Sequence, residues 1–130
     1  MRVLIIDDEA SLSALAVEYF RLAGHEALAC LDGESALALL KADPAFDVIV
    51  LDKRLPGLSG VEILRALKAD PRLAAVPVIV LSASVTPGAA PATCAEGAGA
   101  GADLYMAKPF HPKELAAAAL RLAEGRKRTA

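Results

Sequence analysis

The sequence predicts an α/β domain, a doubly wound, five-stranded parallel sheet with helices on both faces. Three observations predict it. Apolar runs of strand length alternate with stretches of helical period along the chain. The central runs, Val48-Ile49-Val50-Leu51 and Val78-Ile79-Val80-Leu81, are apolar at every position, as strands buried on both faces are. A length of 130 residues suits one domain with a real core, not two.

Strand-length runs fall at 2–6, 26–31, 47–51, 76–81 and 102–107. In the first helix, 11–23, Leu12, Leu15, Ala16, Tyr19, Leu22 and Ala23 lie close to one stripe, and Gly24 is a natural stop. The second, 33–42, carries Ala36, Leu37, Leu39 and Leu40, with Asp32 as a cap. The third, 61–69, follows Ser59 and turns Ile63, Leu64 and Leu67 inward. The last, 112–124, opens on Pro112 and stacks Leu115, Ala118, Ala119 and Leu122. A further helix belongs in 84–101, but that stretch is rich in Ala, Gly and Pro. A short or displaced helix starting near Pro91, with mobile glycine-rich flanks, is the expectation there.

Hydrophobic residues make up 55% and charged residues 23% of the chain, a globular profile rather than a disordered one. No apolar run reaches the roughly 18 residues of a membrane span, and no secretory signal is visible at Met1-Arg2, so a cytoplasmic protein is expected. The net charge of −2 gives no general attraction to nucleic acid, and Arg126-Lys127-Arg128 reads as a tail or the start of a linker. Residues 1–125 then form the domain and 126–130 the basic tail. Cys30 and Cys94 lack the spacing of a zinc site, and Cys30 reads as a small buried thiol.

Chemistry concentrates at the ends of the strands. Asp7 and Asp8 follow the first run and Asp52 the third. In doubly wound sheets ligands sit at the carboxyl ends of the strands, where the order reverses, and an order of 2-1-3-4-5 puts strands one and three side by side. Three carboxylates converging there repel unless a cation joins them, and an open, all-oxygen site suits magnesium better than a closed calcium cage. The plainer reading, that each Asp merely caps the next helix, serves for one Asp but poorly for an adjacent pair plus a third. Ser82 ends the fourth run and Lys108 follows the fifth, supplying a hydroxyl donor and a point charge for a phosphoryl group. A carboxylate nucleophile, a divalent metal, a hydroxyl and an ammonium suffice for phosphoryl transfer to an aspartate.

Four blocks, Val3-Leu4-Ile5-Ile6-Asp7-Asp8-Glu9, Val48-Ile49-Val50-Leu51-Asp52 with Leu55-Pro56-Gly57 and Gly60, Leu81-Ser82-Ala83, and Lys108-Pro109-Phe110, resemble the signature of the response-regulator receiver family. The resemblance covers nearly the whole chain, in order, and implies a flavodoxin-like three-layer sandwich. It implies that Asp52 is the phosphoacceptor of a two-component phosphorelay. It further implies that Asp8, Asp52 and the backbone carbonyl of Arg54 bind Mg2+ directly, with Asp7 acting through a water. Ser82 and Lys108 would hold the phosphoryl oxygens. Tyr105, otherwise an ordinary strand aromatic, matches the residue that changes rotamer with Ser82 on switching. The Lys108-Pro109 bond matches one that is cis in the family. The implied partners are a sensor histidine kinase or histidine phosphotransfer protein and a downstream protein target, reached through the face of the fourth helix, fifth strand and fifth helix. Neither nucleic acid nor a membrane is implied as a partner of this domain.

The sequence departs from that pattern in three places. Ser82 stands where threonine is commoner and keeps the donor. Arg54, after Lys53, stands at the mouth of the pocket, where it either touches phosphate or hinders water, or where both merely balance local acid. The stretch from Ser82 to Lys108 is longer by about one helical turn, the excess falling in the Ala/Gly/Pro-rich segment. Gly97-Ala98-Gly99-Ala100-Gly101 is no dinucleotide loop, since the strand-then-helix order such a loop needs is reversed. His25 and His111 have no evident catalytic partner. Two rival functions remain. An enzyme using an aspartyl-phosphate on outside substrates lacks a visible cap or substrate pocket. A degenerate receiver serving only protein contacts would have lost part of the acidic set or the lysine, and here all are present.

Overall fold

A computed structural model of the chain describes residues 1–53, 55, 60–82, 104–107 and 111–129, with backbone only at 61, 82, 105, 107 and 125–129. Five strands, β1 (Arg2–Ile6), β2 (Glu26–Cys30), β3 (Val48–Asp52), β4 (Val78–Ser82) and β5 (Leu104–Ala107), form one sheet in the order β2-β1-β3-β4-β5. Every pairing is parallel. Four helices are described: α1 (Ala10–Leu22), α2 (Gly33–Ala42), α3 (Gly60–Ala69) and α4 (Pro112–Thr129).

The alternation of side chains along each strand divides the core in two. Val3, Ile5, Val48, Val50, Ile79 and Leu81 pack with Ala16 and Phe20 of α1 and Leu115, Ala118 and Ala119 of α4. Leu4, Ile6, Ile49, Leu51, Val78 and Val80 pack with Ala36 and Leu40 of α2 and Ile63, Leu64 and Leu67 of α3. Both faces of the central strands are thus covered, which is why these runs hold no polar residue before their last position.

Several boundaries and one face differ from expectation. β3 starts at Val48 and takes in Asp52, which pairs with Leu81. β4 starts at Val78, not 76. Pro77 has no N–H for a ladder, though its carbonyl accepts from Ile49, and Val76 closes the preceding turn by donating to Leu73 O. β2 ends at Cys30, and α1 runs one residue earlier than 11–23 at each end. The last helix continues past 124 to Thr129, because a lone Gly125 weakens a helix without stopping it.

The α1 face is a larger correction. Ser13, Ala16 and Phe20 are buried, while Leu15 and Leu22 are 52% and 82% exposed. Two apolar stripes overlap on this helix, and the one carrying Phe20 wins because its large ring is buried in the core cluster shared with the sheet and α4. Gly24 does end the helix. Its φ is 92°, its N–H donates to Arg21 O, and the His25 N–H reaches back to Phe20 O. Those bonds make a Schellman ending. At α2 the Asp32 carboxylate accepts from the Ser35 N–H at 2.7 Å, as a cap should. The expected helix within 84–101 and Ser59 lie outside the described residues.

Candidate functional site

The register of β1 on β3 decides where the acids meet. Ile6 is level with Leu51, so Asp7 and Asp52, each one residue further, emerge side by side at the carboxyl edge. The ladders continue past the strands on both sides: the Asp7 N–H donates to Cys30 O at 3.1 Å and the Lys53 N–H to Leu81 O at 2.9 Å. Both aspartates therefore leave from rigid backbone.

The structure brings Asp7, Asp8 and Asp52 together. One carboxylate oxygen from each lies within 4.8 Å of the other two. Asp7 and Asp52 are buried, at 1% and 6% exposure, and Asp8 is open to solvent. Such a site has a rigid protein wall and a wet mouth. Three hard oxygen donors with room for water match a small divalent cation that keeps part of its hydration shell. The Asp7 carboxylate is itself aimed, because its Oδ1 accepts the Glu9 N–H at 3.0 Å.

Gly60 shapes the other side. Its N–H donates to Lys53 O at 3.0 Å, closing the neck of the 54–59 connection. A Cβ here would meet Asp52 O and Lys53 Cα at 2.8 Å, so only glycine lets α3 begin against the end of β3. One strand along, Ser82 closes β4 level with Ala107, the residue before Lys108. The Ser82 and Tyr105 side chains, Arg54 and Lys108 lie outside the described residues.

The structure also brings forward a residue that sequence analysis passes over. Ser13 is buried within the apolar face of α1, and its hydroxyl donates to the Asp7 backbone carbonyl at 3.2 Å. The signal was a hydroxyl at a core position of a helix, where a buried polar group needs a partner. Cys30 is free and half-buried rather than buried, and burial, with Asp32 adding to it, pushes its thiol up. His111 Nδ1 accepts the Lys113 N–H at the start of α4, and His25 lies edge-on to Phe20. Among the described residues, no helix is long and apolar enough to cross a membrane.

Comparison with known proteins matches residues 3–120 to the family model of the response regulator receiver domain. The phosphate regulon transcriptional regulatory protein PhoB of Pseudomonas aeruginosa is 37% identical over 115 residues, 88% of this chain and 48% of that protein. The DNA-binding response regulator MtrA of Mycolicibacterium paratuberculosis is 35% identical over 116 residues, 89% of this chain and 48% of that protein. The chain thus spans about half the length of these curated relatives. Among solved structures, a Francisella response regulator 1452 receiver domain superposes with a TM-score of 0.79 at 32% identity, covering 99% of this chain and 98% of that one. Vibrio cholerae CheY4 superposes at 0.83 with 29% identity, covering 93% and 97%. With its sheet order, its acidic edge and a match across almost its full length, this chain belongs to the response regulator receiver domain family.

Proposed function

We propose that this receiver is the phosphoacceptor switch of a two-component phosphorelay, taking a phosphoryl group from a phosphohistidine onto Asp52 with Mg2+ bound beside it. The observation that carries the reading is the convergence of the Asp7, Asp8 and Asp52 oxygens within 4.8 Å at the carboxyl edge. Asp8, Asp52 and the Arg54 carbonyl would hold the ion directly, and Asp7 would act through a water. When bound, the ion neutralises charge on the phosphoryl oxygens.

The chain's own groups do the rest. An Asp52 carboxylate oxygen attacks phosphorus in line, the P–N bond to the donor imidazole breaks, and the imidazole nitrogen takes up a proton. The Ser82 hydroxyl donates to one phosphoryl oxygen and the Lys108 ammonium balances another. In dephosphorylation water attacks phosphorus, the P–O bond to Asp52 breaks, and inorganic phosphate leaves the restored carboxylate. Both activities are directed at the protein itself rather than at an outside substrate. Ser82 and Tyr105 pass the change to the face built on β5 and α4 together with the helix expected in 84–101. The receiver unit is 1–125, and 126–130, which continue α4 as far as Thr129, are a basic tail or the start of a linker. Working in the cytoplasm, it has as partners a sensor histidine kinase or histidine phosphotransfer protein and a downstream protein target, with nucleic acid and membrane left to other parts of such systems.

Acetyl phosphate with magnesium tests this directly. The wild type should be modified at one site and Asp52→Asn not at all; equal labelling of the two sinks the assignment. Asp8→Asn should weaken magnesium binding by at least the roughly tenfold that losing an outer partner costs a metal site.

A further inference from the structure

We infer that Ser13 is a positioning residue for the metal site, acting on Asp8 through the Asp7–Asp8 peptide; this rests on the reading that Asp7, Asp8 and Asp52 hold a divalent ion. The turn from β1 into α1 is closed by bonds that converge on Asp7. Its N–H donates to Cys30 O at 3.1 Å, its Oδ1 accepts from the Glu9 N–H at 3.0 Å, and its carbonyl accepts from the Ser13 hydroxyl at 3.2 Å. The first two hold the residue and its carboxylate. The third holds the plane of the following peptide, and that plane sets the direction in which Asp8 leaves the chain.

Asp8 needs that help more than its neighbours do. Asp7 and Asp52 are buried against the sheet, whereas Asp8 is exposed in a three-residue turn. Glu9, at the N-cap of α1, makes no capping bond with its side chain. Ser13 ties the turn to the helix instead, from one full turn inside it. The hydroxyl also does something unusual for a helical serine. Such a group ordinarily bonds the carbonyl four residues back. Here the Glu9 carbonyl keeps its helical bond from the Ser13 N–H at 2.9 Å, while the hydroxyl reaches past it to the strand end. A serine that is 2% exposed, on the face otherwise formed by Ala16 and Phe20, contributes little apolar packing. Its contribution is the bond to Asp7.

The test is manganese binding, followed by electron paramagnetic resonance on the full chain, alongside metal-free thermal unfolding. Ser13→Ala should weaken manganese binding roughly tenfold, the low end of what outer residues of metal sites carry. Ser13→Thr, which keeps the hydroxyl, should bind as the wild type does. Ser13→Cys keeps the side-chain volume with a poor donor and should fall between, and it reports on the site even if the alanine variant does not fold. Affinity that stays at the wild-type value in Ser13→Ala and Ser13→Cys, whatever happens to their melting temperatures, overturns the role of Ser13 alone. A wild type that binds no manganese overturns the metal reading as well.

Discussion

At Arg2 the guanidinium lies 4.3 Å over the Phe46 ring, donates to Ala45 O at 3.0 Å and pairs with Asp43 at 2.6 Å and with Glu26. This clamp ties the start of β1 to the connection between α2 and β3, at the edge opposite the acids. Arg2→Ala should lower the melting temperature more than Arg2→Met, whose stem still covers Phe46; equal losses would assign the whole effect to charge. The Arg2 hydrogen bond holds the Asp43 carboxyl below an ordinary aspartate's 3.8. A depressed folded value stabilises above 3.8 and is lost as the pH falls through it. The melting temperature should therefore drop below pH 3.8, and drop less steeply in Asp43→Asn. At this scale the acids were legible in the sequence, since each follows an apolar run and a strand end has one place in the sheet. Ser13 was not, because a hydroxyl within a helix shows its partner only when the strand beside it is in place.

Elements were read well where an end carries its own chemistry. Asp32 starts α2 and Gly24 ends α1, both through bonds within a few residues. Gly24→Ala should cost about 1 kcal/mol in urea unfolding. Nothing lies within 4 Å of the added Cβ, so the cost is the backbone's left-handed φ alone. Gly60→Ala is a different case, because its Cβ would press on the backbone of Asp52 and Lys53. It should cost about 1–3 kcal/mol and also slow labelling of Asp52 by acetyl phosphate. A stability loss with unchanged labelling would show that α3 can shift without disturbing the site. The α1 face was misread because Leu15 and Leu22 form a plausible stripe on helical spacing. Periodicity locates a stripe, and only the neighbouring elements choose between two.

The whole molecule couples the metal to stability. A ligand that binds only the folded state stabilises by mass action, about 2.7 kcal/mol when its concentration is a hundred times the Kd. Magnesium should therefore raise the melting temperature of the wild type more than that of Asp8→Asn; equal rises would place the ion elsewhere. The sequence by itself determined the parallel sheet, its order and the meeting of Asp7, Asp8 and Asp52 at one edge. The parallel sheet follows from strand–helix alternation and the unbroken apolar runs of β3 and β4, its order from the family resemblance, and the meeting of the acids from the position of each after an apolar run. The tertiary structure alone decided which stripe of α1 is buried, where β4 begins, why residue 60 has no side chain, and what the Ser13 hydroxyl holds. Each of these depends on contacts between segments distant in sequence, and a local pattern carries no record of what will pack against it.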